Sequence, residues 1–305
     1  AKGNGDIIDY RAPLVSLKRN VEGNPRQSIF MIKQYNTTIG LRGDINDDWS
    51  YDVYYQDSTV DYSNEYRNDL SVIAINRGVD VISVGGVPTC VSAINGTDPS
   101  CIPYNLFQGG LPGDQGIQGV IDGGQALQNY VANATYIHGD GKQKIFSGYI
   151  TGDTGWTIPG APGSVSMVVG FETKELDADF RPDLPSRTGD RSGSGGATLP
   201  IAGEYDVDEY YFEFGIPVAD GVSVDLGYRT AEYSTGNDTD STKVGAYWTI
   251  NDSVSLRASF QTAQRHANIS ELYSAVSDGL VDLDNDPCSI QQNGDPATAT
   301  QAQCA

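Results

Sequence analysis

Residues 208–230 read DEYYFEFGIPVADGVSVDLGYRT, and their periodicity decides the fold. Tyr210, Phe212, Phe214 and Ile216 share one phase of a period-2 repeat, and Glu209, Tyr211 and Glu213 share the other. After Ala219-Asp220-Gly221 the pattern resumes, with Val222, Val224, Leu226 and Tyr228 opposing Ser223, Asp225 and Arg229. Successive side chains of an extended strand point to opposite faces, so these are two strands, each with an apolar and a polar face. The three residues between them tolerate positive φ or turn readily, which makes the pair an antiparallel hairpin.

The same rule holds outward from this hairpin. On the N-terminal side, TIGLRGDIN places Ile39, Leu41 and Ile45 against Arg42, Asp44 and Asn46, and SVSMVVGFETK places Val165, Met167, Val169 and Phe171 against Ser166, Gly170, Glu172 and Lys174. On the C-terminal side, Val244, Ala246, Trp248 and Ile250 oppose Gly245, Tyr247 and Thr249, and Val254, Leu256, Ala258 and Phe260 oppose Ser255, Arg257, Ser259 and Gln261. WSYDVYYQDSTV from Trp49 and QKIFSGYITGD from Gln143 are less regular strands. The count is about eight, starting near residue 37, each near the ~10 residues of a tilted membrane-spanning strand.

Two kinds of connection alternate. Asn46-Asp47-Asp48, Pro159 to Gly163, Ala219-Asp220-Gly221 and Asn251-Asp252 are tight turns. Between them lie long connections at about residues 61–142, 176–205 and 265–305, with a shorter one at 234–240. The first contains two helix-like stretches, NEYRNDLSVIAINRG and GGQALQNYVANA. A soluble antiparallel sandwich also alternates apolar and polar residues. Compact soluble domains seldom carry long irregular connections on one edge, whereas outer-membrane barrels have short periplasmic turns and long extracellular loops.

Composition agrees with an all-β chain, with Gly 36 and Tyr 18 against Met 2 in 305 residues. No apolar run approaches the ~20 residues of a membrane helix. The net charge of -21 excludes phosphate-backbone binding, so no nucleic acid is expected. The chain begins at Ala1 without an initiator Met and shows no signal peptide, and it reads as an internal piece of a longer protein. Cys90 and Cys101, and Cys288 and Cys304, each close a short loop-like segment rich in Gly, Asn, Asp and Pro. Three connectivities are formally open, and disulfides in an oxidising compartment are expected over a metal site, because the spacings are not C-x₂-C and the histidines stand far away.

Several ordered stretches resemble the TonB-dependent receptors, in particular a group with disulfide-bearing extracellular loops. CVSAINGTDPSCIPYNLFQGG from Cys90 is similar to that group's Cys-loop-Cys followed by Pro-(Leu/Tyr)-Asn-(Leu/Ile)-Phe-Gly. GEYDVDEYYFEFGIPV from Gly203 resembles its Gly-x-x-x-Val-x-Glu-x-(Tyr/Phe)-x-Glu-x-x-x-Pro strand, with Val207, Glu209, Glu213 and Pro217 at matching positions. GSVSMVVGFETKE resembles its Val-Gly-x-Glu-x-Arg strand with Lys174 for Arg, and RASFQTAQRHANISELYSA and the Asp-Pro-Cys loop from Asp286 follow in order. His266 and Ala267 stand where the group writes Ala and Pro. The resemblance runs from Lys18 to Cys304 and implies a partial antiparallel transmembrane β-barrel: about eight of 22 strands, without the plug domain. It implies a Gram-negative outer-membrane location in contact with lipid, import of a scarce ligand, and energy from the TonB complex through an N-terminal region not seen here.

No catalytic motif is present, so the chain is not expected to be an enzyme and no cofactor is expected. Glu209 and Glu213 share a strand face and read as hydrated lumen lining. Ligand contacts are expected in the long loops and at the external strand ends, with Tyr104, Asn105, Arg265, Asn268 and Glu271 as candidates. Asp282, Asp284 and Asp286 supply oxygen ligands enough for Ca²⁺, but the run lacks the Gly and later Glu of an EF-hand loop and reads as a solvated acidic loop. An acidic chain disfavours anionic siderophores, and a carbohydrate or oligosaccharide is expected. The competing reading is a secreted or surface-attached acidic β-domain that binds a ligand or Ca²⁺.

Overall fold

The computed structural model describes residues 24–105, 124–193 and 196–277. Eight strands form one antiparallel meander: β1 (Gln27–Asp44), β2 (Trp49–Leu70), β5 (Ala132–Thr157), β6 (Ser164–Pro182), β7 (Ile201–Ala219), β8 (Val222–Tyr233), β9 (Thr239–Asn251) and β10 (Val254–Thr262). They are hydrogen-bonded in the order β1-β2-β5-β6-β7-β8-β9-β10, and the sheet is open, with β1 and β10 at its edges. A separate hairpin, β3 (Val81–Val84) and β4 (Val87–Cys90), lies in the connection between β2 and β5.

Register converts the alternation of each strand into two continuous faces. Leu41, Val53, Gly148, Phe171 and Tyr210 stand side by side across β1, β2, β5, β6 and β7. Further along, Met167, Phe214, Leu226, Val244 and Phe260 do the same from β6 to β10. This apolar face is bare: Ile39 is 70% exposed, Leu41 69% and Phe260 70%. The band ends where charge begins on the same face, at the row Asp57, Lys144, Glu175 and Asp206, with Lys144 Nζ 2.8 Å from Glu175 Oε2.

The tight turns all lie at one edge. Asn46 Oδ1 accepts from the amides of Asp48 and Trp49, both at 2.9 Å, and so closes the β1–β2 turn without a glycine. The β7–β8 turn does require one: Gly221 has φ +69, and a Cβ there would stand 2.8 Å from the Thr249 carbonyl. Among the described residues the longer connections, β2–β5 and β6–β7, leave from the other edge, and the expected 265–305 connection lies outside the described residues beyond 277.

The strands are longer than the sequence reading. β1 begins at Gln27, and β2 and β5 continue to Leu70 and from Ala132, so the connection expected at 61–142 occupies 71–131. The 176–205 connection likewise contracts to 183–200. At about 3.3 Å per residue the 26 residues of β5 span about 85 Å, far more than a bilayer requires. Where a strand rises into water on both faces, alternation is no longer demanded, and the period-2 signal fades before the strand ends.

The described parts of the 71–131 connection, residues 71–105 and 124–131, fold as a small cap. Helix α1 (Val72–Val79) starts at Ser71, whose hydroxyl accepts from the Ala74 amide, and α2 (Val91–Ile94) follows β4. Cys90 and Cys101 form a disulfide with Cα atoms 6.2 Å apart. Helix α3 (Gly124–Val131) runs into β5, and its Leu127 and Val131 pack with Ala74 and Tyr104 into the cap's own core, flanked by Leu70, Ile75, Ile102 and Tyr130. Only part of each helix-like stretch is helical: NEYRNDL extends β2, and the Ala132–Ala134 end of the second belongs to β5.

Candidate functional site

The polar face carries a charge network at its centre. Register aligns Tyr54, Ser147, Glu172, Glu209 and Ala231 across β2, β5, β6, β7 and β8. Lys174 Nζ lies 2.5 Å from Glu172 and 3.2 Å from Glu209. Arg229 pairs with Glu209 and reaches Glu172 at 3.6 Å. The Tyr54 hydroxyl donates to Glu172 at 3.4 Å, and the Arg229 guanidinium lies 5.5 Å from the centre of the Tyr211 ring. The Glu209 side chain is only 7% exposed, and a buried carboxylate must be paired to be tolerated. Two carboxylates and two cations compensate each other here. The arrangement holds no nucleophile paired with a base; it is a charged wall whose ions are paired with one another.

At the long-loop edge a second set of contacts ties the loops together. Asp69, fully buried, accepts from the Leu70 amide at 2.9 Å and the Ser192 hydroxyl at 3.2 Å, and it pairs with Arg26 at 3.1 Å and Arg191 at 3.4 Å. Asp190 accepts from the Ser71 hydroxyl and the Ile73 amide, so the start of the cap is fixed to the 183–200 connection. That connection begins with helix α4 (Leu184–Thr188), capped by Asp183.

A third element, helix α5 (Ile269–Tyr273), lies against β7. Asn268 and Glu271 form a capping box, and Arg265 holds Glu271 through two contacts of 2.8 Å. Those guanidinium hydrogen bonds, with the Asn268 amide, bring the Glu271 carboxyl down to about 2. His266 stacks on Tyr233 with ring centres 3.9 Å apart and lies 2.8 Å from Thr235 Oγ1. Tyr273 lies flat over Gly203, where a Cβ would stand 2.2 Å from the ring, and its hydroxyl donates to the Glu204 carbonyl at 2.8 Å.

Beside α5, on the polar face, is a cavity of about 480 Å³. Its walls are Val60, Tyr62, Ala178, Phe180, Ile201 and Ile269, and its floor is Gly139 and Gly141 of β5. A Cβ at Gly141 would meet only the Asp177 carbonyl, at 3.9 Å. These residues escape the sequence reading because the 61–142 connection absorbed the two glycines; a paired glycine motif inside a strand is the signal that would have found them.

The sequence candidates fall into two groups. Arg265, Asn268 and Glu271 come together at α5, where they bond to one another. Tyr104, 9% exposed, lies in the cap core, and Asn105 beside it is exposed. Asp282, Asp284, Asp286, Cys288 and Cys304 lie outside the described residues.

The sequence profile of the family described as TonB dependent receptor-like, beta-barrel, matches residues 4–303. No individually curated protein matches the chain. Among solved structures, a mutant of the ferric enterobactin receptor PfeA from Pseudomonas aeruginosa aligns at 11% identity and a TM-score of 0.33, over 80% of this chain and 44% of that one.

Proposed function

Because this chain belongs to the TonB-dependent receptor β-barrel family, we propose that it forms part of the wall of an outer-membrane receptor that imports a scarce nutrient by energy-coupled transport. The chain spans 44% of the length of the receptor structure it aligns with, so plug, TonB contact and the remaining wall belong to the proposal. One observation carries it: the eight-stranded sheet has a continuous bare apolar face, a charged opposite face and, among the described residues, its longer connections at one edge. In hydrocarbon the apolar face is satisfied, and the backbone groups of the six inner strands are paired by neighbours on both sides. A secreted module would leave Ile39, Leu41 and Phe260 in water.

In this reading the face with Glu172, Lys174, Glu209 and Arg229 lines the lumen, and the cap lies outside the cell. Ligand enters past Asn105 and the α5 segment; Arg265, Asn268 and Glu271 hold that segment in place, and Tyr104 supports the cap from within. Net charge -21 disfavours anionic siderophore complexes and favours a neutral solute such as a carbohydrate. The test is growth of a strain lacking the full-length receptor, on limiting neutral oligosaccharides and on ferric siderophores. We expect a growth defect on a neutral solute, restored by the receptor only when TonB is present. Unchanged growth on every substrate, or a receptor found outside the outer-membrane fraction, would sink the reading.

A further inference from the structure

The polar face of this sheet carries one feature that neither lipid contact nor cap packing explains, the apolar cavity beside α5. We propose that it is a binding site for the uncharged, ring-bearing part of a solute in the lumen; the proposal rests on the transport reading and narrows its substrate class.

Apolar side chains on a water-facing wall cost hydration unless something covers them. Val60 and Tyr62 have the same strand phase as Tyr54, whose hydroxyl reaches Glu172, so they face inward, away from lipid. That position excludes a lipid chain or a second copy of the barrel as occupant. The row through Gly141 and Ala178 lies three residues beyond the charged row of Lys144 and Glu175, about 10 Å further toward the long-loop edge. A solute arriving from outside therefore meets it above the bilayer.

The cavity is preformed. Helix α5 is pinned by Tyr273 on Gly203 and by His266, which stacks on Tyr233 and meets Tyr205 at a tilt, so its Ile269 stays in the wall. Gly139 and Gly141 supply no side chains, which leaves a flat floor between the rings of Tyr62 and Phe180. The volume of about 480 Å³ lies in the range of small-molecule sites. Aromatic walls with an open floor suit the face of a ring. Charge at the rim is already used: Asp140 and Asp179 have the outward strand phase and both pair with Arg181. Among the described residues no free cation stands at the rim to attract an anion, and the chain's overall negative charge opposes one. A glycoside with an apolar aglycone fits both this cavity and the neutral-solute reading.

The experiment places a thiol on the floor with Gly141→Cys in the full-length receptor and follows its reaction with an uncharged maleimide, after subtracting labelling of the parent. The probes are p-nitrophenyl β-glucoside, glucose and p-nitrobenzoate. The expected result is slowing by the aryl glycoside alone, by about tenfold at ten times its Kd, and loss of that binding when Gly141→Phe fills the floor. Equal protection by glucose, protection by p-nitrobenzoate, or no protection by any probe overturns the proposal. A thiol that never reacts also overturns it, because the receptor's own chain then fills the cavity. Uptake assayed in parallel separates the two readings: transport with an indifferent thiol removes only this site, and protection without TonB-dependent uptake removes only the transport.

Discussion

Gly170 and Gly141 are both strand glycines on the polar face, but they do different work. A Cβ at Gly170 would stand 2.3 Å from the Tyr211 ring, over which Arg229 also lies, 5.5 Å from the ring centre. Gly170→Ala must displace that ring, and we expect it to cost about 1–3 kcal/mol, the usual range for overpacking. Gly141→Ala meets nothing closer than 3.9 Å, and we expect a change within about 0.5 kcal/mol. Denaturant midpoints of the full-length receptor refolded into vesicles compare the two directly. Glu271 belongs to the same scale. Its carboxyl titrates at about 2 when α5 is docked, against 4.5 when free. A depressed acid contributes above its free value and loses that contribution as pH falls, so α5 docking weakens between about 4.5 and 2. Exchange of the Leu272 amide, which donates to the Asn268 carbonyl, reports it: Glu271→Gln should speed exchange at neutral pH and flatten the acid limb.

At the scale of elements, the cap has its own core, its own disulfide and its own titrating pair. Asp98 accepts from the Ser100 and Tyr130 hydroxyls and from Arg77, which brings it down to about 2 from 3.8. Burial and the same Asp98 contact push Tyr130 up to about 12 from 10. The acid contributes above 3.8 and fades toward 2; the phenol contributes below 10 and fades toward 12. Protection of cap amides should therefore be flat between about pH 4 and 10 and fall on both sides. Cys101→Ser opens an 11-residue separation, and we expect local cap stability to drop by about 3 kcal/mol with the sheet unchanged, as read by amide exchange. The cap also marks where the sequence stopped being legible. Within the bilayer the two faces see lipid and water, so residues such as Met167 to Lys174 must alternate and are read correctly. Above it, DYSNEYRNDL and ANATYIHGDG no longer have one face against lipid, carry no period, and pass for loop although they are strand. The cavity floor lies there. Arg265, Asn268 and Glu271 are legible in the sequence only as polar ligand candidates of a long connection; their mutual bonding depends on α5 geometry that spacing alone does not specify.

For the whole molecule, the two faces and the two edges make opposite demands on solvent, and both can be tested. Val169 and Val168 are neighbours in β6, yet Val169 pairs with Phe212 on the apolar face and Val168 with Glu213 on the polar face. Val169→Arg should cost about 2–4 kcal/mol near the bilayer midplane, while Val168→Arg, opposite a carboxylate, should be close to neutral in the same vesicle assay. The edges are the stronger constraint. Among the described residues, β1 and β10 are each hydrogen-bonded on one side only, to β2 and β9. An unpaired backbone group in hydrocarbon costs several kcal/mol, and β1 alone is 18 residues long. No gain on the apolar face offsets an open row of that length, so the sheet is stable in a bilayer only when further strands join β1 to β10. The full-length receptor should accordingly migrate faster unheated than boiled in detergent gels, as closed barrels do. Residues 1–305 expressed alone should show no such shift and should aggregate through their edges. A heat-modifiable 305-residue product would mean that this sheet closes on itself or on a second copy, and the wall would then be a small barrel.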